Sequence, residues 1–385
     1  MIPLLDRARE VAAVAAQYND EVDREGRFPH EALRALKEAR LLSAMLPRDY
    51  GGEAAGLAEI ADICACLGQQ CASSAMMFAM HQIKLSSLIS HGRTSGWHGA
   101  FMHRIAEEQL LLASATTEGG IGGDLRNSIC AVEMEGDDFR LAKDATVISY
   151  GSHADAILAT ARRAPDAPSS DQVLIVLVKG QYQLERTATW DTLGMRGTCS
   201  EGFKLIAFAP IAQILPKPFA EIAAQSMLAT SHLLWSSVWY GIANNAVQRA
   251  QAYVRAEARR RPGVPPPGGL RLAEAASMLQ MMKSNTAEGL RRFDRALQDH
   301  DDLTSMGFAV AMNNVKIGAS RLTVDIVNHA MLVCGLMGYK NGTPYSLGRH
   351  LRDAMSAQLM INNDRIFGNT SNLLLVHRLD QQMVS

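Results

Sequence analysis

The chain is short of several things, and each shortage closes off a class of function. Aromatic residues make up only 6% of its 385 positions. Basic and acidic residues nearly cancel, leaving a formal net charge of -1. With no cationic excess to neutralise phosphates, nucleic acid is not the main partner. No apolar run approaches the roughly 20 residues of a membrane span. The N-terminus, Met1-Ile2-Pro3-Leu4-Leu5-Asp6-Arg7, continues into an amphipathic pattern with acidic residues, unlike a secretory signal. Six cysteines in so long a chain do not make a disulfide framework. Cys64, Cys66 and Cys71 fall in an apolar, helix-like run with no nearby histidine. They read as buried thiols in a reducing cytosol, not as a metal site, and a cytoplasmic protein is the expectation.

What is present points to helices. Hydrophobic content is 48%, and 19 methionines with many alanines and leucines suit adaptable helical packing. The length suits two or three packed domains. Over residues 1–108, Leu4, Ala8, Val11, Ala12 and Ala15 mark one apolar face at helical spacing. Further helices are predicted at 29–40, 56–71 and 74–91, with the Pro47 to Gly52 turn between the first two. Over 109–217 the texture becomes β-like, with short runs at 110–113, 129–133, 156–159 and 173–178 separated by turns. That pattern predicts a small barrel or sandwich. Over 218–385 helical texture returns at 219–258, 270–299, 305–333 and 345–375, as an antiparallel four-helix bundle requires. The fold class is therefore mainly α with a central β domain.

Five motifs punctuate this order: Leu46-Pro47-Arg48-Asp49-Tyr50-Gly51-Gly52; Thr116-Thr117-Glu118-Gly119-Gly120-Ile121-Gly122-Gly123-Asp124; Val147-Ile148-Ser149; Leu193-Gly194-Met195-Arg196-Gly197-Thr198; and Leu351-Arg352-Asp353-Ala354, which follows the glycine-rich turn Cys334-Gly335-Leu336-Met337-Gly338-Tyr339. Each alone is weak, but five in order at matching separations resemble the acyl-CoA dehydrogenase family over essentially the whole chain. The resemblance implies an N-terminal helical domain, a β domain and a C-terminal bundle. It also implies FAD as cofactor, an acyl-CoA or acyl-carrier-protein substrate, electron-transfer flavoprotein as acceptor, and a homodimer or homotetramer. Backbone N–H groups of a glycine-rich loop can meet flavin oxygens and diphosphate. Gly122 and Gly123 allow close approach. Thr116, Thr117 and Ser149 offer hydroxyls to the flavin edge. Arg259 has the spacing of the family's diphosphate-binding arginine to Gly263, and Gly335 belongs to the turn that serves a neighbouring subunit's flavin.

The sequence departs from the family where the chemistry lies. The flavin's aromatic neighbour is replaced by Val147, and the family's Gln and second Gly of the bundle turn fall on Leu332 and Leu336. The family's glutamate base falls on Ile361, and its alternative location falls on Ser231. Removal of an α-proton calls for a desolvated base. Asp364, read as lying on the same helix face as Ile361, is the candidate; His232 and His81 are the others, each with the bland reading of a satisfied core histidine. Three functions remain in view: acyl-thioester dehydrogenation with a relocated base, flavin-dependent monooxygenation, and a binding protein derived from a flavoprotein.

Overall fold

The computed structural model of the protein describes residues 2–121 and 124–379. Five helices build the first layer: α1 (Leu4–Glu25), α2 (His30–Glu38), α3 (Leu57–Gly68), α4 (Ala72–His91) and α5 (Gly96–Glu108). α1 stops at Gly26, which takes the left-handed conformation with φ 62° and donates its N–H to the Val22 carbonyl. α4 is buried on almost every side, which accounts for its run of small and apolar residues with no clear polar face.

Among the described residues the middle domain holds seven strands: β1 (Leu112–Ala115), β2 (Glu133–Glu135), β3 (Asp138–Ile148), β4 (Ala156–Arg162), β5 (Gln172–Val178), β6 (Tyr182–Ala188) and β7 (Glu201–Pro210). They form two sheets, ordered β1-β4-β5 and β2-β3-β7-β6. β4 and β5 are buried on both faces and read as continuous apolar runs, whereas β3 and β7 alternate buried and exposed residues. One predicted strand is absent. Residues 129–132 pair with the sheet only through an isolated bridge from Ala131 to Arg162. The reason is local: the N–H groups of Ile129 and Cys130 donate to the Glu118 carboxylate instead of to a neighbouring strand.

The bundle begins with α6 (Phe219–Ile222), a π turn (Ala223–Met227) and α7 (Leu228–Arg260), followed by α8 (Gly269–Ala296), α9 (His300–Leu303), α10 (Met306–Cys334) and α11 (Leu336–Tyr339). The fourth long helix is not continuous. It divides into α12 (Gly348–Met355) and α13 (Asn363–Leu374). Ile361 adopts φ 46°, and the Asn362 side chain starts α13 by accepting the Asp364 N–H at 2.8 Å. Asp364 and Ile361 therefore do not share a helix face.

A buried clamp joins all three domains. The Asp353 carboxylate accepts the Met195 N–H at 2.7 Å, and Gly194 lies against the Arg352 carbonyl with no room for a Cβ. Arg352 is paired with Asp23 of α1, whose carbonyl also accepts from Arg196 Nε at 2.8 Å. Two of the sequence motifs thus hold the domains to one another. Burial raises the Asp353 carboxyl to about 6.

Candidate active site

The loop at 116–121 and the end of β3 meet through side chains. Thr117 Oγ1 donates to the Val147 carbonyl at 3.0 Å and accepts the Val147 N–H at 3.3 Å. Its hydroxyl hydrogen is therefore committed within the protein. Ser149, two residues on, ends a hydroxyl chain: Ser149 Oγ to Ser200 Oγ is 2.7 Å, Ser200 Oγ to Thr198 Oγ1 is 2.8 Å, and Thr198 donates to the Met195 carbonyl at 2.8 Å. Each hydroxyl has one hydrogen. Thr198 uses its own on Met195, so Ser200 donates to Thr198 and Ser149 to Ser200. Ser149 then offers lone pairs only, which suits the N–H edge of an isoalloxazine ring.

The loop is pinned from below. Glu118 is buried, and its carboxylate accepts from Cys130 N (2.6 Å), Ser128 Oγ (2.8 Å), Ile129 N (3.0 Å) and Lys143 Nζ (3.2 Å). Burial pushes this carboxyl up, but Lys143 and these hydrogen bonds outweigh it and hold it below its ordinary range. Gly119 donates to the Asp144 carbonyl, and a Cβ there would press on the Asp144 carboxylate. Thr116 Oγ1 lies 3.4 Å from Ser114 Oγ. A backbone loop with acceptor hydroxyls at its edge fits a flavin. Gly122 and Gly123 lie outside the described residues.

Arg259 and Gly335 are elsewhere. Both are exposed at the far end of the bundle, where Gly268 of the α7–α8 loop lies against Val333 of α10. Neither contacts Thr117 or Ser149 among the described residues. Gly335 has φ 53° and open space where a Cβ would stand.

The base candidates separate clearly. Asp364 is exposed in the first turn of α13, while Asn363 and Ile366 are the buried residues of that helix. The expectation of a desolvated carboxylate beside Ile361 is not met in the protomer. His81 is a satisfied core residue: Nδ1 accepts the Leu112 N–H at 3.0 Å, so Nε2 carries the hydrogen and donates to the Leu42 carbonyl at 2.7 Å. Burial pushes it down to about 4. His232 Nδ1 donates to the Met312 carbonyl at 3.2 Å; burial, then the nearby Lys316, takes it to about 4. Ser231 donates to the Met227 carbonyl at 2.6 Å.

Reading the sequence for histidines and carboxylates missed the buried lysines. Lys316 of α10 donates to the Ile361 carbonyl and to Asn363 Oδ1, both at 2.7 Å. Lys84 of α4 is likewise buried. A signal existed in Ile83-Lys84-Leu85 and Val315-Lys316-Ile317, a lysine between apolar neighbours within a helix.

Comparison with known proteins accounts for this arrangement. Residues 3–109 match the acyl-CoA dehydrogenase N-terminal domain and residues 222–361 the acyl-CoA dehydrogenase C-terminal domain. The chain belongs to the acyl-CoA dehydrogenase family. As such it is an oxidoreductase of a flavin-dependent family. It is 28% identical over 372 residues to cyclohex-1-ene-1-carbonyl-CoA dehydrogenase of Geobacter metallireducens, covering 94% of each chain. Butyryl-CoA dehydrogenase from Megasphaera elsdenii shares the fold with TM-score 0.79 at 19% identity, covering 97% of this chain and 100% of that one. Dibenzothiophene monooxygenase (TdsC) from Paenibacillus sp. A11-2 shares it with TM-score 0.82 at 20% identity, covering 98% of this chain and 97% of that one. Among the described residues no helix is long and apolar enough to cross a membrane, and no cluster of three metal-ligating side chains occurs.

Proposed function

We propose that this protein is an FAD-dependent dehydrogenase that oxidises an acyl thioester between Cα and Cβ. The observation that carries the reading is the match to cyclohex-1-ene-1-carbonyl-CoA dehydrogenase over 94% of both chains. It is supported by an intact Met195–Asp353 clamp and a Ser149 hydroxyl that can only accept. When bound, the flavin supplies a two-electron acceptor. Thr116, the loop through Gly122 and Gly123, and Ser149 would hold its ring, and CoA or a carrier protein would carry the acyl group. Electron-transfer flavoprotein is the fitting electron acceptor. Six free cysteines agree with a cytoplasmic setting.

The far end of the bundle supports a homodimer or homotetramer. Leu332, Leu336 and Tyr339 stand 52%, 65% and 75% exposed beside Gly335, close to the loop that follows Arg259. An apolar patch of this kind suits a neighbouring subunit. Light scattering at micromolar concentration should give two or four times the chain mass of 41.8 kDa.

A second reading, monooxygenation, is favoured by one specific observation. Ile361 and Ser231 stand at both family base positions, and Asp364 is exposed. Anaerobic mixing of the flavin-loaded protein with saturated acyl-CoAs and with cyclohex-1-ene-1-carbonyl-CoA separates the two. A dehydrogenase loses its flavin absorbance under substrate. A monooxygenase keeps it until an external reductant is added.

A further inference from the structure

Three lysines among the described residues are buried: Lys84, Lys143 and Lys316, at 5%, 1% and 0% exposure. Two are completed by oxygen. Lys143 meets the Glu118 carboxylate at 3.2 Å and the Thr160 carbonyl at 3.0 Å, and Lys316 meets Ile361 O and Asn363 Oδ1. Among the described residues Lys84 reaches only the thioether of Met227, at 3.2 Å. Sulfur is a weak acceptor, and a buried ammonium without oxygen ligands or a counter-charge is strongly disfavoured. Burial shifts Lys84 toward the neutral amine, and a neutral amine is a base.

Its position matters as much as its surroundings. α4 runs along the π turn and the start of α7, with Ser87 Oγ 3.3 Å from Ser226 Oγ, Ser86 Oγ 3.5 Å from Thr230 Oγ1, and Lys84 on Met227. Ser231 bonds the carbonyl of that same Met227. Lys84 therefore flanks, from the α4 side, one of the two places where the family carries its base. π turns inside helices are frequent at functional sites.

We propose that Lys84 is the proton acceptor for the substrate's α-hydrogen. This rests on the dehydrogenase reading above. The Cα–H bond breaks and its proton goes to the Lys84 Nζ lone pair, making the ammonium. The electron pair left on Cα would form the Cα–Cβ double bond as the Cβ–H bond gives up a hydride, for which a bound flavin would supply the two-electron acceptor. Burial alone brings Lys84 to about 8. Charged groups on elements packed against α4 include Glu59 and Asp62 on α3, Arg196 in the turn at 196–198, Glu221 on α6 and His232 on α7; among the described residues none of them pairs with Lys84, and His81 one turn back is held by Leu42 and Leu112.

The test separates proton removal from flavin reduction. A 3-thia-acyl-CoA has an acidic α-hydrogen and no β-hydride to lose, so exchange of that hydrogen in D2O, followed by mass spectrometry, reports the base alone. Flavin bleaching by acyl-CoA and thermal unfolding are measured alongside. Wild type should exchange, faster with rising pH up to a plateau above about 8. Lys84→Met should keep its flavin and unfolding temperature and lose about 100-fold or more of the exchange. Lys84→Gln, which keeps a donor for Met227, should lose as much should the Met variant fold poorly. Lys84→Arg should stay inactive, because guanidinium accepts no proton. Exchange within a few-fold of wild type in the Met or Gln variant overturns the assignment, and so does recovery in Arg, which would make Lys84 a charge partner. If wild type bleaches and Lys84→Met still exchanges, Lys84 alone is wrong. If wild type neither bleaches nor exchanges, the dehydrogenase reading fails and takes Lys84 with it.

Discussion

The loop of the β domain and the bundle turn at Leu359–Asn362 both rest on a buried lysine, and they hold it in opposite ways. Lys143 lies under Glu118, a carboxylate supplied by the family's own loop motif. Lys316 lies under Ile361, where the family has a carboxylate and this chain has none, and is held by a backbone carbonyl, an amide oxygen and, 5.7 Å away, the face of the Trp239 ring. The first lysine is paired with a charge, and the second is held by dipoles. Burial accordingly takes Lys316 down to about 8. The β-domain loop keeps a carboxylate over its lysine, while the bundle turn offers the neutral Ile361 and takes a left-handed backbone at that β-branched residue.

The contrast breaks most visibly at Glu118. Glu118→Gln removes the counter-charge of Lys143 and turns an amide N–H₂ toward a site built only of donors. Breaking one side of a buried pair costs about 3–5 kcal/mol, and chemical denaturation should show a loss of that size. The pH dependence follows from the sign. Glu118 is held below its ordinary range in the folded protein, so its contribution is present above the carboxylate range and is lost as pH falls through it. In the variant this part of the acid sensitivity should disappear. Flavin affinity should fall too, because Glu118 fixes Ile129 and Cys130 beneath Thr117.

Lys316→Met is the matching change in the bundle, with a smaller effect. Ile361 O and Asn363 Oδ1 lose a donor, but the penalty of burying an ammonium goes as well, so a loss of about 1–2 kcal/mol at neutral pH is expected. Lys316 is depressed from 10.5 to about 8 in the folded state. Between those values the unfolded chain binds the extra proton, so wild type gains stability as pH rises from 8 to 10.5. Lys316→Met should lack this gain, and the gap between the two proteins should widen over that window. A gap that is constant with pH would mean that Lys316 stays charged in the folded protein across that window.

The same contrast marks what was legible in the sequence. The helical bundle followed from 3.6-residue periodicity, and β4 and β5 from their apolar runs. The β domain was harder, because β3, β6 and β7 carry polar residues that mask their pattern. Residues 129–132 looked like a strand because side chains show periodicity but not which acceptor takes the backbone N–H groups. Thr117 and Ser149 were readable from the family motif, and the structure brings both to the end of β3. The break before α13 was not readable: Leu359-Met360-Ile361 carries no glycine or proline, and the donor to the turn's Ile361 carbonyl is Lys316, 45 positions away in sequence. Asp364 shares a face with Ile361 only in a continuous helix, and the left-handed Ile361 with the Asn362 cap interrupts it. Lys84 and Lys316 were passed over because a lone lysine in a helix is normally solvated, and only packing shows that these are not.

The smallest effect, and the sharpest test of how the bundle turn is held, belongs to Ile361. A β-branched residue at φ 46° is strained by about 1–2 kcal/mol, which glycine would relieve. Against that, Ile361→Gly gives up a half-buried side chain and adds freedom to the unfolded chain, each worth about 1 kcal/mol. The single variant should therefore lie within about 1 kcal/mol of wild type. The informative measurement is the double-mutant cycle with Lys316→Met. If the two hydrogen bonds from Lys316 are what impose the left-handed backbone, a turn released from the lysine no longer needs to hold that strain, and glycine should gain nothing there. The double variant should then be less stable than the sum of the singles, with a coupling of about 1 kcal/mol. Strict additivity would mean that the Asn362 cap of α13 sets the turn without Lys316. The lysine would then be a filler of the bundle core, and the comparison with Lys143 would hold for its electrostatics but not for its control of the backbone.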